Sequence, residues 1–316
     1  MLDQAAELRK LAVRAAQARG AAPVCVAVAG AAEGVGCTAA ALTIARRLAT
    51  GATTLVVDVN DNARAADMLQ TAAATTDATT AGTTAATASR GSEGLEDVLS
   101  ARRTLDQVIR PVGDRLYVTA GRRATWECGA VERLRRQLRA APFDYVVLDL
   151  GARPQRELRS LCGGDAGGAL LVVASGEGEQ LLNAYSTIKT MAAAETPGSS
   201  FPATAQARGT GDSNDATTPP LAVSVLIKQV DASLAEQLHE RLAKACRQFL
   251  DRRVELLHAG EQADWVDVLT TWVDHLAAQR ASQSARSGSL PDAANASREA
   301  VPETQRNLCN RDSEMD

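Results

Sequence analysis

The chain has no run of roughly 18 apolar residues, so no segment has the length of a membrane-spanning helix. The N-terminus lacks the charged and apolar regions of a secretory signal, which predicts a cytosolic protein. Positive charge is not in excess: 34 Lys and Arg stand against 38 Asp and Glu, a formal net charge of −4, and nucleic-acid binding has no electrostatic case. C-x-x-C pairs are missing too. Cys25, Cys37, Cys128, Cys162, Cys246 and Cys309 are scattered, some of them in apolar runs, and read as reduced thiols rather than as a disulfide framework or a zinc site. Lysine is scarce, four residues against 30 arginines, a bias that fits a GC-rich genome and says little about mechanism.

What is present is a chain of 316 residues, 45% hydrophobic, enough for one α/β domain with tails or for two small domains. It is organised around residues 24 to 60. VCVAVAGAAEGVGCTAAALTIARRLA, starting at Val24, runs from an unbroken apolar stretch through a glycine-containing turn into a helix, and TLVVDVN follows. That order is the signature of a phosphate-binding loop at the start of a parallel α/β sheet. Val24 to Val28 read as a strand buried on both faces. Gly34, Val35 and Gly36 form the part of the loop that lets backbone approach a phosphate, Thr38 stands where a hydroxyl meets Mg²⁺, and Ala39 to Ala49 continue as a helix whose amide end faces the loop.

Cys37 occupies the position where this chemistry wants lysine. A lysine there makes a charge-assisted bond contributing roughly 1.5–3 kcal/mol, about one to two powers of ten in affinity. A neutral thiol does not substitute. Arg46 is no local replacement, lying about 13.5 Å further along the helix axis, and Glu33 places a carboxylate near the phosphate path. Two readings stay open at this point: a weakened ATPase, and a fold that keeps the cradle without turnover.

Residues 2 to 20 predict a separate amphipathic helix, capped by Asp3, with Leu8, Leu11, Ala12 and Ala15 at helical spacing and Gly20 as its stop. It either docks on its own domain or enters a partner's groove. Residues 70–94 and 195–220 are Ala-, Thr-, Gly- and Ser-rich and predict flexible insertions, and the residues beyond Ser282 a disordered polar tail, leaving a core domain at 21–281. Within it, strands are expected at RLYVTA from Arg115, FDYVVLDLGA, ALLVVAS from Ala169, Leu221 to Ile227 and Val254 to Leu257. Helices are expected at Glu127 to Arg139, Glu177 to Ala194, Ala232 to Phe249 and Ala263 to Gln279, with two short helical pieces in LEDVLSARRTLDQVI. The alternation predicts a doubly wound, mostly parallel sheet flanked by helices. Asp149, ending a buried strand beside the loop, either merely terminates it or holds Mg²⁺ together with Thr38.

The order of phosphate loop, VVDVN, VVLDLGA and the NAYSTIKTM helix resembles the MinD/ParA family of deviant Walker A ATPases. The opening DQAAELRKL matches the D-Q-A-x-x-L-R signature of its FlhG (FleN) branch of flagellar-number regulators, and LEDVLSARRTLDQVIRPVGDRLYVTAG is similar to that branch as well. The likeness runs over most of residues 3 to 275. It implies a P-loop NTPase fold, ATP held at Gly34, Val35, Gly36, Cys37 and Thr38, Mg²⁺ at Thr38 and Asp149, and Asp58 as the catalytic carboxylate. It implies that Asp3, Gln4, Ala5, Leu8 and Arg9 dock on the SRP-type GTPase FlhF and stimulate GTP hydrolysis. Further implied partners are a second copy of the chain across ATP, flagellar C-ring proteins or a flagellar transcription regulator, with peripheral contact at the inner membrane or cell pole. A MinD- or ParA-type regulator of division or partitioning is the alternative. The sequence departs from the family at Ala32 and Cys37, where lysines align, at Glu33 for a glycine, at Asn60 for the second acid after the second strand, and at Lys228 for the asparagine that reads the base. Arg153 reads either as a group reaching a γ-phosphate or as a surface residue, and Trp265 to Leu276 as core packing or a membrane face, the latter opposed by Asp264, Asp267 and Asp274.

Overall fold

In the computed structural model the described residues are 22–60, 65, 67–69, 94–120, 126–152, 154–162, 168–192, 221–258 and 265–288. The expected N-terminal helix, Arg153 and almost all of both insertions lie outside them. The chain divides into one unit up to Val273 and a second from Asp274.

The first unit is an eight-stranded sheet with helices around it. Its elements in chain order are β1 (Val24–Gly30), α1 (Cys37–Ala49), β2 (Thr54–Asp58), α2 (Leu95–Leu99), α3 (Leu105–Val108), β3 (Arg110–Pro111), β4 (Leu116–Ala120), α4 (Cys128–Ala140), β5 (Tyr145–Ala152), α5 (Arg159–Cys162), β6 (Gly168–Ser175), α6 (Gly178–Ala192), β7 (Ala222–Lys228), α7 (Ala232–Leu250) and β8 (Glu255–His258). A last helix, α8 (Trp265–Gly288), starts in this unit and carries the chain into the second. The strand order is β3-β4-β2-β5-β1-β6-β7-β8, parallel throughout except for the short antiparallel pair of β3 and β4.

Chain order explains this arrangement. From β1 the chain winds outward to β2 and β4, returns to insert β5 between β2 and β1, then crosses to the other side through β6, β7 and β8. The reversal beside β1 is a topological switch point, where a doubly wound sheet opens a crevice outside the carboxyl ends of its strands. Val26, Ala27, Val28 and Ala29 are all fully buried, as the unbroken apolar run required of a strand covered on both faces. Each buried Leu, Ile or Val contributes about 1.5–3 kcal/mol relative to exposure.

Helix ends follow local chemistry. Asp231 caps α7 by accepting the Leu234 amide at 2.9 Å, and Thr104 with Gln107 closes a capping box on α3. Tyr117 and Phe143 meet edge to face, with ring centroids 5.3 Å apart. Leu269, Trp272 and Val273 of α8 are buried, and the Trp272 indole donates to Ser224 Oγ at 3.1 Å. That face of α8 therefore packs into its own unit, the core-packing alternative. No described helix is long and apolar enough to cross a membrane.

Three elements differ from the sequence reading, the first being α5, a single turn between β5 and β6 that was not expected. α8 continues through Ser282 to Gly288, because Ala, Gln and Arg sustain a helix and no proline intervenes before Pro291. The two-residue strand β3 was not expected, since Arg110 and Pro111 carry no strand pattern and are placed by pairing with Val118 and Tyr117. Leu148, fully buried at the centre of β5, gives a test of the core: Leu148→Ala should lower unfolding free energy by about 2–5 kcal/mol in chemical denaturation.

Candidate functional site

The carboxyl ends of β1, β2, β5, β6 and β7 converge on the loop of residues 31–36. Gly34 and Gly36 have φ of 78° and 88°, the left-handed region that a side chain enters only with strain. At Gly30 a Cβ would come within 3.0 Å of both Ala32 O and Val35 Cγ2, so a larger residue there would push the closed loop outward by a few tenths of an ångström. The Ala31 amide anchors the loop to Val173 O at 2.8 Å.

Helix α1 opens directly from this loop. Gly36 is its N-cap and offers no side-chain bond, and the first turn contains no acidic residue, while Arg46 and Arg47 complement its far end. No acidic residue of its own first turn neutralises its initial amides, which suits an anion.

Opposite lies a carboxylate pair. Asp58 and Asp149 are in register across β2 and β5, and both are completely buried. Their environments differ. Asp58 Oδ1 accepts the Asn60 amide at 3.1 Å and Oδ2 the Ala65 amide at 2.8 Å, so it closes the turn after β2. Asp149 Oδ1 accepts the Gly151 amide at 3.2 Å, but Oδ2 has no hydrogen-bond partner. Burial pushes the Asp149 carboxyl above its usual range, and the nearby Thr38 hydroxyl, Gly151 amide and Asn60 side chain oppose that rise. Thr38 and Asn60 act on the carboxyl as weak hydrogen-bond donors, and their geometry leaves Oδ2 without a closed bond. A buried, orphaned carboxylate oxygen beside a hydroxyl is a donor set that a hard cation fits. Among the described residues no cluster of three or more His, Cys, Asp or Glu side chains forms a further metal site.

Asn60 joins these parts. Its Nδ2 lies 3.5 Å from Thr38 Oγ1, and its side chain lies over Gly151, where a Cβ would sit 2.7 Å from both Cγ and Oδ1. Gly151 also has φ of 66° and follows an irregularity in the pairing of β1 and β5 after Val28 and Asp149. Cys37 is buried at the start of α1; burial first, then the charge of Asp149, push its thiol up to about 11, so it is neutral at physiological pH.

Lys228 ends β7. Its Nζ donates to Val35 O at 3.2 Å and lies 4.6 Å from the centroid of the Trp265 ring, a cation–π contact. The sequence alone marked this position only as a missing asparagine.

The structure thus gathers Gly34, Val35, Gly36, Cys37, Thr38, Asp58 and Asp149 at one sheet edge; Glu33 is exposed. Asp3, Gln4, Ala5, Leu8 and Arg9 lie outside the described residues. Sequence reasoning marked Asn60 and Lys228 only as departures from the resembled family and gave them no role in the site. The available signal was their position at strand ends beside the loop, obscured because both replace residues of other chemistry.

No family model matches the chain, and no curated protein matches it. Among solved structures it is similar to a plasmid partition protein from Borrelia burgdorferi, with 12% identity and a TM-score of 0.51 over 82% of this chain and 100% of that one. It is similar to a ParA family ATPase from Chlorobium tepidum, with 15% identity and a TM-score of 0.50 over 81% and 99%. An ATP complex of a McdA point variant from Cyanothece gives 12% identity and a TM-score of 0.50 over 80% and 88%. These likenesses show the fold, the doubly wound sheet of ParA-type proteins.

Two substitutions test the site's construction in the ligand-free protein. Asp149→Asn removes the cost of burying a carboxylate and should raise stability, read as a higher Tm. Gly151→Ala should lower it by about 1–2 kcal/mol from backbone strain alone, with the Asn60 clash added.

Proposed function

We propose that this chain is a MinD/ParA-type spatial regulator of the FlhG kind, which binds ATP with Mg²⁺ at the loop and acts on an FlhF-type GTPase through its N-terminal segment. The carrying observation is the buried Asp149 Oδ2 without a partner beside Thr38, at the foot of a loop and helix end that favour an anion. The ATP complex among the solved structures sharing the fold supports the same choice of ligand.

In this reading the loop amides from Gly34 to Thr38 hold the phosphates, and the Thr38 hydroxyl and Asp149 hold the metal. Magnesium, when bound, neutralises charge on phosphate oxygens. Asp58, buried next to Asp149, orients water. The Gln4 amide and Arg9 guanidinium reach the partner's active site, with Leu8 as the apolar anchor. Association of two copies across the nucleotide, peripheral membrane contact, and binding to C-ring proteins or a flagellar transcription regulator belong to the same proposal.

A second reading, a scaffold that presents the N-terminal segment without turning over ATP, is favoured by one observation, the neutral thiol of Cys37. A division or partitioning regulator of the MinD or ParA type shares the fold but gives no role to D-Q-A-x-x-L-R.

Calorimetric titration with ATP should show binding that requires Mg²⁺ in the wild type and loses that requirement in Asp149→Ala. Absence of heat at millimolar ATP with Mg²⁺ rules out the nucleotide reading. In a separate assay, Gln4→Ala and Arg9→Ala should each lower stimulation of the partner GTPase by about tenfold or more with Tm unchanged. Full stimulation by both variants refutes the role given to the N-terminal segment.

A further inference from the structure

Lys228 stands at the phosphate loop, and among the described residues no carboxylate pairs with it. Its ammonium approaches to 3.0 Å of where a Cβ on Gly36 would stand, so the glycine leaves room for the charge as well as allowing the turn. One of its three donors goes to Val35 O, and Trp265 supports the side chain through its ring face. The titratable group acting on it is the Cys37 thiol. Burial lowers its pKa, the mark of a cation paying for partial desolvation that an anion would offset.

The neighbouring strand adds an independent observation. Ser175, in register with Lys228 across β6 and β7, has a buried hydroxyl oxygen with no hydrogen-bond partner. Parallel neighbours in register project to the same face of a sheet. Two polar groups with unused bonding capacity therefore share one face at the carboxyl edge, beside the loop and the start of α1.

We propose that Lys228 binds the polyphosphate of the nucleotide, supplying from the end of β7 the positive charge that the loop lacks at Cys37. The proposal rests on the nucleotide reading above. The ammonium is a compact charge on a flexible four-carbon stem, and it reaches phosphate oxygens by turning from Val35 O and the Trp265 ring face. The missing charge has been moved rather than lost: it comes to the loop beside Val35 and Gly36 from a strand distant in sequence. Ser175 adds a hydroxyl donor on the same side.

The test is calorimetry of full-length protein with Mg²⁺-ATP and, separately, with inorganic tripolyphosphate. Lys228→Met keeps the stem and removes the charge; it should weaken ATP binding about 10- to 100-fold, with Tm showing that the fold survives. Cys37→Lys in the Lys228→Met background should restore most of the loss, because a lysine on either side of the loop then meets the same phosphates. Parallel losses for tripolyphosphate and ATP assign the contact to the phosphates; a loss for ATP alone, with tripolyphosphate unaffected, overturns that assignment. Wild-type affinity in Lys228→Met overturns the role of Lys228 while leaving the nucleotide reading standing. No binding of ATP by the wild type overturns both. Failure of Cys37→Lys to rescue a folded Lys228→Met protein overturns the replacement of one charge by the other.

Discussion

The close approach of Asn60 to Gly151 is the constraint on which the site depends. Thr38, Asp58 and Asp149 come from three separate elements, α1, β2 and β5, and only a glycine at 151 lets the Asn60 side chain lie between them. With φ of 66° there, β5 bends just beyond Asp149, keeping Oδ1 on the Gly151 amide, while Oδ2, beside Thr38, has no hydrogen-bond partner. A site built this way stores free energy. Burial of Asp149 without full hydrogen bonding destabilises the empty fold, and a cation at that oxygen recovers the cost.

The two neighbouring carboxylates separate by the same logic. Both have zero exposure, and only their hydrogen bonds distinguish them. Asp58 gives both oxygens to amides of the segment that follows β2, which ties that segment to the sheet. Asp149 gives one. Burial alone therefore does not pick out a ligand; the census of partners does.

The strand and helix order was legible because the parallel strands are short, unbroken apolar runs separated by helical periodicity. Val24–Gly30 and Tyr145–Ala152 were expected nearly residue for residue, apart from a few positions at their ends. The loop was legible from Gly34, Gly36 and Thr38, whose backbone roles depend on residue type. Asn60 and Lys228 were not, because their importance arises from contacts with Gly151 and Val35, positions distant in sequence. The two-residue strand β3 escaped for a related reason: its partner strand, not its own composition, sets its conformation. The extra turns of α8 escaped because a polar composition was read as disorder where intrinsic helix propensity was sufficient.

Among the described residues, the outermost strand on the β4 side has Pro111 as one of its two residues, paired to Tyr117. Proline has no amide hydrogen to offer an incoming chain, and a rung so short gives a stray strand almost nothing to zip onto. Growth of the sheet by edge-to-edge stacking of copies is thereby blocked at that margin, a safeguard against fibril formation written into a dipeptide.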